Sequence, residues 1–122
     1  MKKIFYYTDV LPLLSRGKDG IKKISRSLDV FRAASENVKL IWHPWSGTMK
    51  YLTINSSDVI DEYKKIVEDY LEEGWGELDN SDNYYEARQV LLGCDGYYGD
   101  VCDLIYDAQN AKIPVMIQNI DA

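Results

Sequence analysis

Short runs rich in β-branched and aromatic residues alternate along this chain with stretches whose apolar residues recur every three or four positions. Each of these two periods belongs to one backbone geometry, so the alternation restricts the fold more than any other feature. Residues 3–8, 38–42, 75–78, 96–98 and 114–118 read as strands. Ile21, Ile24, Leu28 and Phe31 form a helical stripe over residues 19–35, with Lys and Arg on the opposite side. Val59, Ile60, Tyr63, Ile66, Val67, Tyr70 and Leu71 form a second stripe, Ala87, Val90 and Leu91 a third, and Val101, Leu104, Ile105 and Ala108 a fourth. The resulting β-α-β-α-β-α-β-α-β order predicts a mainly parallel five-stranded sheet. Parallel neighbours need a crossover, and right-handed crossovers lay helices over the sheet. The expected architecture is a single three-layer α/β/α domain over residues 1–122.

Local punctuation supports these boundaries. Ser56, Ser57 and Asp58 suit a helix start, with Asp61 and Glu62 complementing its positive end. Gly74 is a natural stop for that helix. Asp79-Asn80-Ser81-Asp82-Asn83 is a cluster of turn and cap residues. Asp100 is placed to cap the helix that carries Val101. Residues 45–54 are the longest irregular piece, or a small hairpin.

The charge balance narrows the partners. Fourteen Lys and Arg face twenty Asp and Glu, for a net charge of −6. Such a surface excludes nucleic acid or an anionic membrane face as the main partner. It leaves room for a phosphate held by backbone amides. Cys94 and Cys102 lie in or beside apolar helical runs and fit no zinc spacing, so no metal site is expected and the thiols read as buried and reduced, the alternative being a redox pair that needs the two to meet in space. The first seven residues are too short and too polar for a signal peptide. No stretch approaches the roughly 20 apolar residues of a membrane span. A cytoplasmic protein without a transmembrane segment is expected.

Ligands of parallel α/β sheets bind beyond the C-terminal ends of the strands. Here those ends are Thr8-Asp9, His43-Pro44-Trp45, Asp79-Asn80, Gly99-Asp100 and Gln118-Asn119. His43, the sole histidine, is the candidate catalytic residue: it can contact a phosphate or serve as an acid, or else pack beside Trp42 or Trp45. Asp100 can bind a ribose or a phosphate-bound water as well as cap its helix. Asp9 either turns the chain before Leu11-Pro12 or faces the cleft. Ser15-Arg16-Gly17-Lys18 lacks the glycine spacing and ending of a P-loop and reads as solvated loop charge. Tyr97 and Tyr98 should point to opposite faces of a central strand. A receiver-like signalling domain also has this length and β/α count, but Gln118-Asn119 stand where its lysine belongs. Strand order separates the two: 2-1-3-4-5 for a receiver, 3-2-1-4-5 for the family introduced next.

Cys94-Asp95-Gly96-Tyr97-Tyr98-Gly99-Asp100, followed by Lys112-Ile113-Pro114-Val115-Met116-Ile117-Gln118-Asn119, is similar to the C-terminal region of bacterial CDP-glycerol glycerophosphotransferase-like proteins. So is Glu72-Glu73-Gly74-Trp75-Gly76. The resemblance runs from about Ile4 to Ile120. It implies a Rossmann-like half of a glycosyltransferase-B architecture, of the kind found in teichoic-acid polymerases. That half holds a nucleotide-diphosphate donor such as CDP-glycerol, with no other cofactor. It implies ligand contacts at Asp9, His43, Trp45, Gly99, Asp100, Val101 and Cys102, the last two through their amides at a helix N-terminus. Two departures weaken the implied anion site. Where the family reads Trp-Arg-Pro-His-Pro, this chain reads Trp42-His43-Pro44-Trp45-Ser46. Where the family has two serines after Tyr-Tyr-Gly-Asp and a variable residue, Cys102 and Asp103 stand. The family's N-terminal domain, which completes the cleft, has no counterpart in these residues. The resemblance therefore implies a donor-binding half that is inactive alone, partnered by a separate transferase domain or by self-association. The alternative is a non-catalytic binding or interaction module that keeps the fold without the phosphate-binding residues.

Overall fold

The computed structural model describes residues 1–118. Its elements run β1 (Lys2–Thr8), α1 (Leu11–Arg16), α2 (Lys18–Ala33), β2 (Val38–Pro44), α3 (Thr48–Asn55), α4 (Ser57–Glu73), β3 (Glu77–Leu78), α5 (Tyr84–Leu92), β4 (Gly96–Gly99), α6 (Leu104–Asn110) and β5 (Val115–Ile117). The five strands pair in parallel in the order β3-β2-β1-β4-β5. This is the Rossmann-like order 3-2-1-4-5 and not the receiver order. The chain reverses its direction of travel across the sheet between β1 and β4, and a crevice opens at such a point. Among the described residues, no helix is long and apolar enough to cross a membrane.

The central strands are buried on both faces, which explains why β1 reads as a continuous run of large residues with no polar alternation. Tyr6, Leu40 and Trp42 face one layer, where Leu13, Ile24, Leu28, Val59 and Tyr63 from the helices close over them. Phe5, Tyr7, Ile41 and Tyr97 face the other, beneath Ala87, Leu91, Leu104 and Ala108. Each large side chain so buried contributes about 1.5–3 kcal/mol of transfer free energy. Tyr97 and Tyr98 do take opposite faces: Tyr97 stacks on Phe5, while Tyr98 meets Tyr6 and Phe31 with ring centroids 5.5 Å apart. Gly74 takes the left-handed conformation that ends α4 (φ 69°), and Asn83 caps α5 by accepting from the Glu86 amide.

Four expectations are corrected. The loop or hairpin of residues 45–54 is largely helix α3, anchored by buried Thr48 and Leu52. The helix expected over residues 19–35 is preceded by a separate one, α1, with Pro12 in its first turn, where its missing N–H costs nothing. Strand β2 continues through His43 to Pro44, so the histidine sits in the sheet and not in the loop after it. Finally, α6 starts at Leu104 and Asp100 does not cap it. Val101 and Cys102 precede the helix, so their amides do not form its first turn. The last strand end expected from the sequence, Gln118-Asn119, is described only to Gln118; Asn119 and Ile120 lie outside the described residues.

Candidate functional site

Ladder hydrogen bonds fix the C-terminal edge of the sheet. The Trp45 amide donates to the Thr8 carbonyl at 2.9 Å and the Asp79 amide to the Trp42 carbonyl at 2.8 Å. The Asp100 amide donates to the Tyr7 carbonyl at 3.0 Å and the Gln118 amide to the Gly99 carbonyl at 2.7 Å. Below them the buried Trp42 indole donates to the Thr8 hydroxyl at 3.0 Å. Each loop therefore leaves the sheet from a pinned residue, and the side chains just beyond are held by scaffold.

The candidate residues do not form one site. His43, Trp45 and Cys102 line a cleft of about 280 Å³ on the α5/α6 side, with Tyr7, Ser81 and Asp82 among its other walls. Asp9, Asp100 and Val101 line a second cavity of about 540 Å³ on the α1 side, with Leu11, Pro12 and Ile117. Gly99, the last residue of β4, lines neither. Its φ is 134°, and a Cβ there would fall 2.1 Å from the Tyr7 carbonyl oxygen. Only glycine fits this backbone conformation against the Tyr7 main chain.

Asp100 joins two loops. Its carboxylate accepts from the Asp9 amide at 2.8 Å, and the Asp9 carboxylate accepts from the Leu11 amide at 3.2 Å. Burial raises the Asp100 carboxyl above its ordinary range; the Asp9 amide opposes that shift and the Asp9 charge adds to it. This makes Asp100 a brace between the β1 and β4 loops. The larger cavity is mostly apolar, and its described lining contains no cation.

The smaller cleft carries the chemistry. His43 is 6% exposed. Its ring lies against Phe5 and Tyr7, at centroid distances of 5.4 and 5.9 Å. Its Nδ1 is 2.8 Å from an Asp79 oxygen, and the other Asp79 oxygen accepts from the Ser81 hydroxyl at 2.8 Å. The imidazole is thus fixed in plane and in orientation, as a group that exchanges protons or reads a ligand must be. Trp45 folds over Gly47, where a Cβ would meet its ring at 2.5 Å, and meets Tyr51 edge-on. Cys102 is half-buried, and burial raises its thiol above the ordinary value, with Tyr97 and the Leu104 amide opposing the shift. Such a thiol is a poor nucleophile. Among the described residues no His, Cys, Asp and Glu side chains group to hold a metal ion.

Tyr7, Asp79, Ser81, Asp82, Asn83, Tyr84 and Asp103 belong to this site and were not singled out as ligand residues from the sequence. One signal was present: Asp79-Asn80 follows a strand, and the residues behind it form a polar cluster. No family model matches this chain, and no curated protein and no solved structure matches it either.

Proposed function

We propose that this chain is the donor-side half of a CDP-glycerol glycerophosphotransferase-like protein serving cell-surface polymer synthesis, and that it does not carry out transfer alone. The observation that carries this reading is the placement of the cleft. It lies at the C-terminal edge of a 3-2-1-4-5 parallel sheet, on the ends of β1 and β2, with a buried imidazole held by a carboxylate in its wall. Nucleotide ligands of such sheets bind there. Inactivity alone follows from charge. Transfer at a diphosphate needs cations or aligned amides around the migrating phosphoryl group. The described cleft lining contains no Lys or Arg, and Asp82 and Asp103 face into it. A second domain, or a second copy of this chain, must supply that positive charge and the base for the acceptor. The reading carries a cytoplasmic setting, which the two free thiols suit.

One observation favours the rival reading of a non-catalytic binding module. The amides of Val101 and Cys102 precede α6 and do not open it, so this loop makes no helix-terminal phosphate cradle. Titration with CDP, UDP, CDP-glycerol and inorganic phosphate at millimolar concentration, read by amide NMR and thermal shift, separates the two. Saturable shifts for the CDP species at His43, Asp79 and Ser81 support the donor half. A folded protein that none of the four ligands moves would refute it and leave the module.

A further inference from the structure

The cleft beside His43 presents a ring nitrogen that no described residue satisfies. Asp79 takes a hydrogen bond from Ser81 on one oxygen and faces His43 Nδ1 with the other. A carboxylate only accepts, so in the neutral imidazole the proton resides on Nδ1. Nε2 is then a lone-pair acceptor. It makes no hydrogen bond to any described residue, yet it is not among the buried polar atoms sealed without a partner. Phe5 and Tyr7 pack against the ring at centroid distances of 5.4 and 5.9 Å, and the Asp79 contact fixes the edge that Nε2 presents. An acceptor held in the open wall of a cleft can take a donor from a ligand there in place of water.

The surroundings say which donor. Ser46, Ser81, Asp82, Asn83 and Asp103 also line the cleft, and no Lys or Arg does. Phosphate oxygens brought to Nε2 would meet a lone pair at short range and two carboxylates beyond it. A polyol brings one hydroxyl proton to Nε2 and further hydroxyl donors to the carboxylates. Tyr7, Trp45 and Tyr84 add flat apolar surface of the kind that packs on the C–H face of a sugar.

We propose that this cleft is a hydroxyl-reading subsite: Nε2 of His43 accepts a hydrogen bond from a neutral polyol, while Asp82 and Asp103 take its neighbouring hydroxyls. Asp79 and Ser81 are positioning residues, which set the imidazole tautomer. The polyol can be a free sugar or part of a nucleotide donor; the second source rests on the donor-half reading above. In that case the polyol end is held by this chain, and its diphosphate points away from the cleft.

The test uses the chain's single histidine. Long-range ¹⁵N–¹H correlation spectra of its imidazole report tautomer and ligand contact without assignment ambiguity. The probes are cytidine, 2′,3′-dideoxycytidine, methyl β-ribofuranoside, glycerol, CDP-glycerol and inorganic phosphate. The free protein should show the Nδ1–H tautomer. Cytidine, or a simple polyol, should move the Nε2 resonance saturably, and removing the ribose hydroxyls should weaken cytidine about tenfold or more. Phosphate should leave Nε2 unmoved. Asp79→Asn should shift the tautomer ratio and weaken the polyol by a similar factor. Ser81→Ala, a milder change, should do so to a lesser degree if Asp79→Asn fails to fold. A free protein in the Nε2–H tautomer, an Nε2 shift with phosphate alone, equal binding of the deoxygenated nucleoside, or silence with every polyol would each overturn the proposal. The two readings fail separately. Methyl riboside binding with CDP-glycerol silent sinks the donor half and keeps the subsite. CDP-glycerol binding that leaves Nε2 unmoved does the reverse.

Discussion

Replacing Gly99 with alanine tests the claim that the end of β4 packs against the Tyr7 backbone in a conformation and at a distance that only glycine allows. An alanine Cβ would lie 2.1 Å from the Tyr7 carbonyl oxygen and 3.0 Å from the Tyr7 carbonyl carbon and amide nitrogen. An ordinary non-bonded contact is ~3.5 Å. The backbone at φ 134° is also one that residues with a Cβ rarely adopt. Holding that conformation costs about 1–3 kcal/mol. Overpacking against rigid backbone adds about 1–3 kcal/mol. If β1 and β4 move apart instead, the bond from the Asp100 amide to the Tyr7 carbonyl weakens. The expected loss is therefore about 4 kcal/mol, against a total of roughly 6–18 kcal/mol for a chain of this length. In urea, with a slope near 2 kcal/mol per molar, the unfolding midpoint should fall by about 2 M. Circular dichroism at 25 °C measures it. Gly93→Ala is the control: φ is ordinary there, and the nearest atom to a new Cβ is the Val90 carbonyl oxygen at 3.5 Å. That variant should match the parent or gain about 0.4–1 kcal/mol. A Gly99→Ala midpoint within about 0.3 M of the Gly93→Ala value would refute the close-approach argument.

Two further outcomes follow from the same geometry. Burial raises the folded-state carboxyl of Asp100, so between the ordinary carboxylate value and the raised one the folded chain binds more protons than the unfolded chain. The stability contributed by this group is complete below that window and is lost as pH rises through it. Asp100→Asn keeps an acceptor for the Asp9 amide without the buried charge, and should equal or exceed the parent in urea at pH 7, with the difference closing below about pH 4. A variant less stable than the parent at neutral pH would overturn the assignment. The Cys94 thiol is pushed up to about 11 by burial, and its hydrogen bonds to Val90. Iodoacetamide at pH 7.5 should label Cys94 only slowly in the native protein and rapidly in urea; fast native labelling would show that this thiol is not buried.

The layers of the fold were legible because the strands and long helices announce themselves by period. Ile21, Ile24 and Leu28 are buried at the spacing that reveals α2, and Gly74 ends α4 through the left-handed conformation that glycine favours. The misses are elements held by tertiary contact. Helix α3 buries only Thr48 and Leu52, and β-branched Thr53 and Ile54 lower its intrinsic helicity. Its start is tied down by the Thr48 hydroxyl donating to the Trp45 carbonyl at 2.7 Å. In α1 only Leu13 is buried, too little to make a stripe.

The site was less legible than the fold, and Asp100 shows why. In sequence it stands just before an apolar run, where an aspartate ordinarily caps a helix. In the folded chain its carboxylate is already taken by the amide of Asp9, 91 residues away, and the helix starts four residues later without it. No local rule can anticipate that competition, because the winning partner arrives only when β1 and β4 pair. His43 presents the same problem in reverse. Its position after an apolar strand suggested a loop, yet β2 extends through it because His43 pairs with Tyr7 in register and Asp79, just after β3, reaches its ring nitrogen. Chemistry at the end of a parallel sheet is assembled from strands distant in sequence, so the residues that tune a site are the last to be read from the chain. The cleft is therefore better tested through Asp79, which sets the state of His43, than through His43 itself, whose loss would remove packing against Phe5 and Tyr7 together with the chemistry.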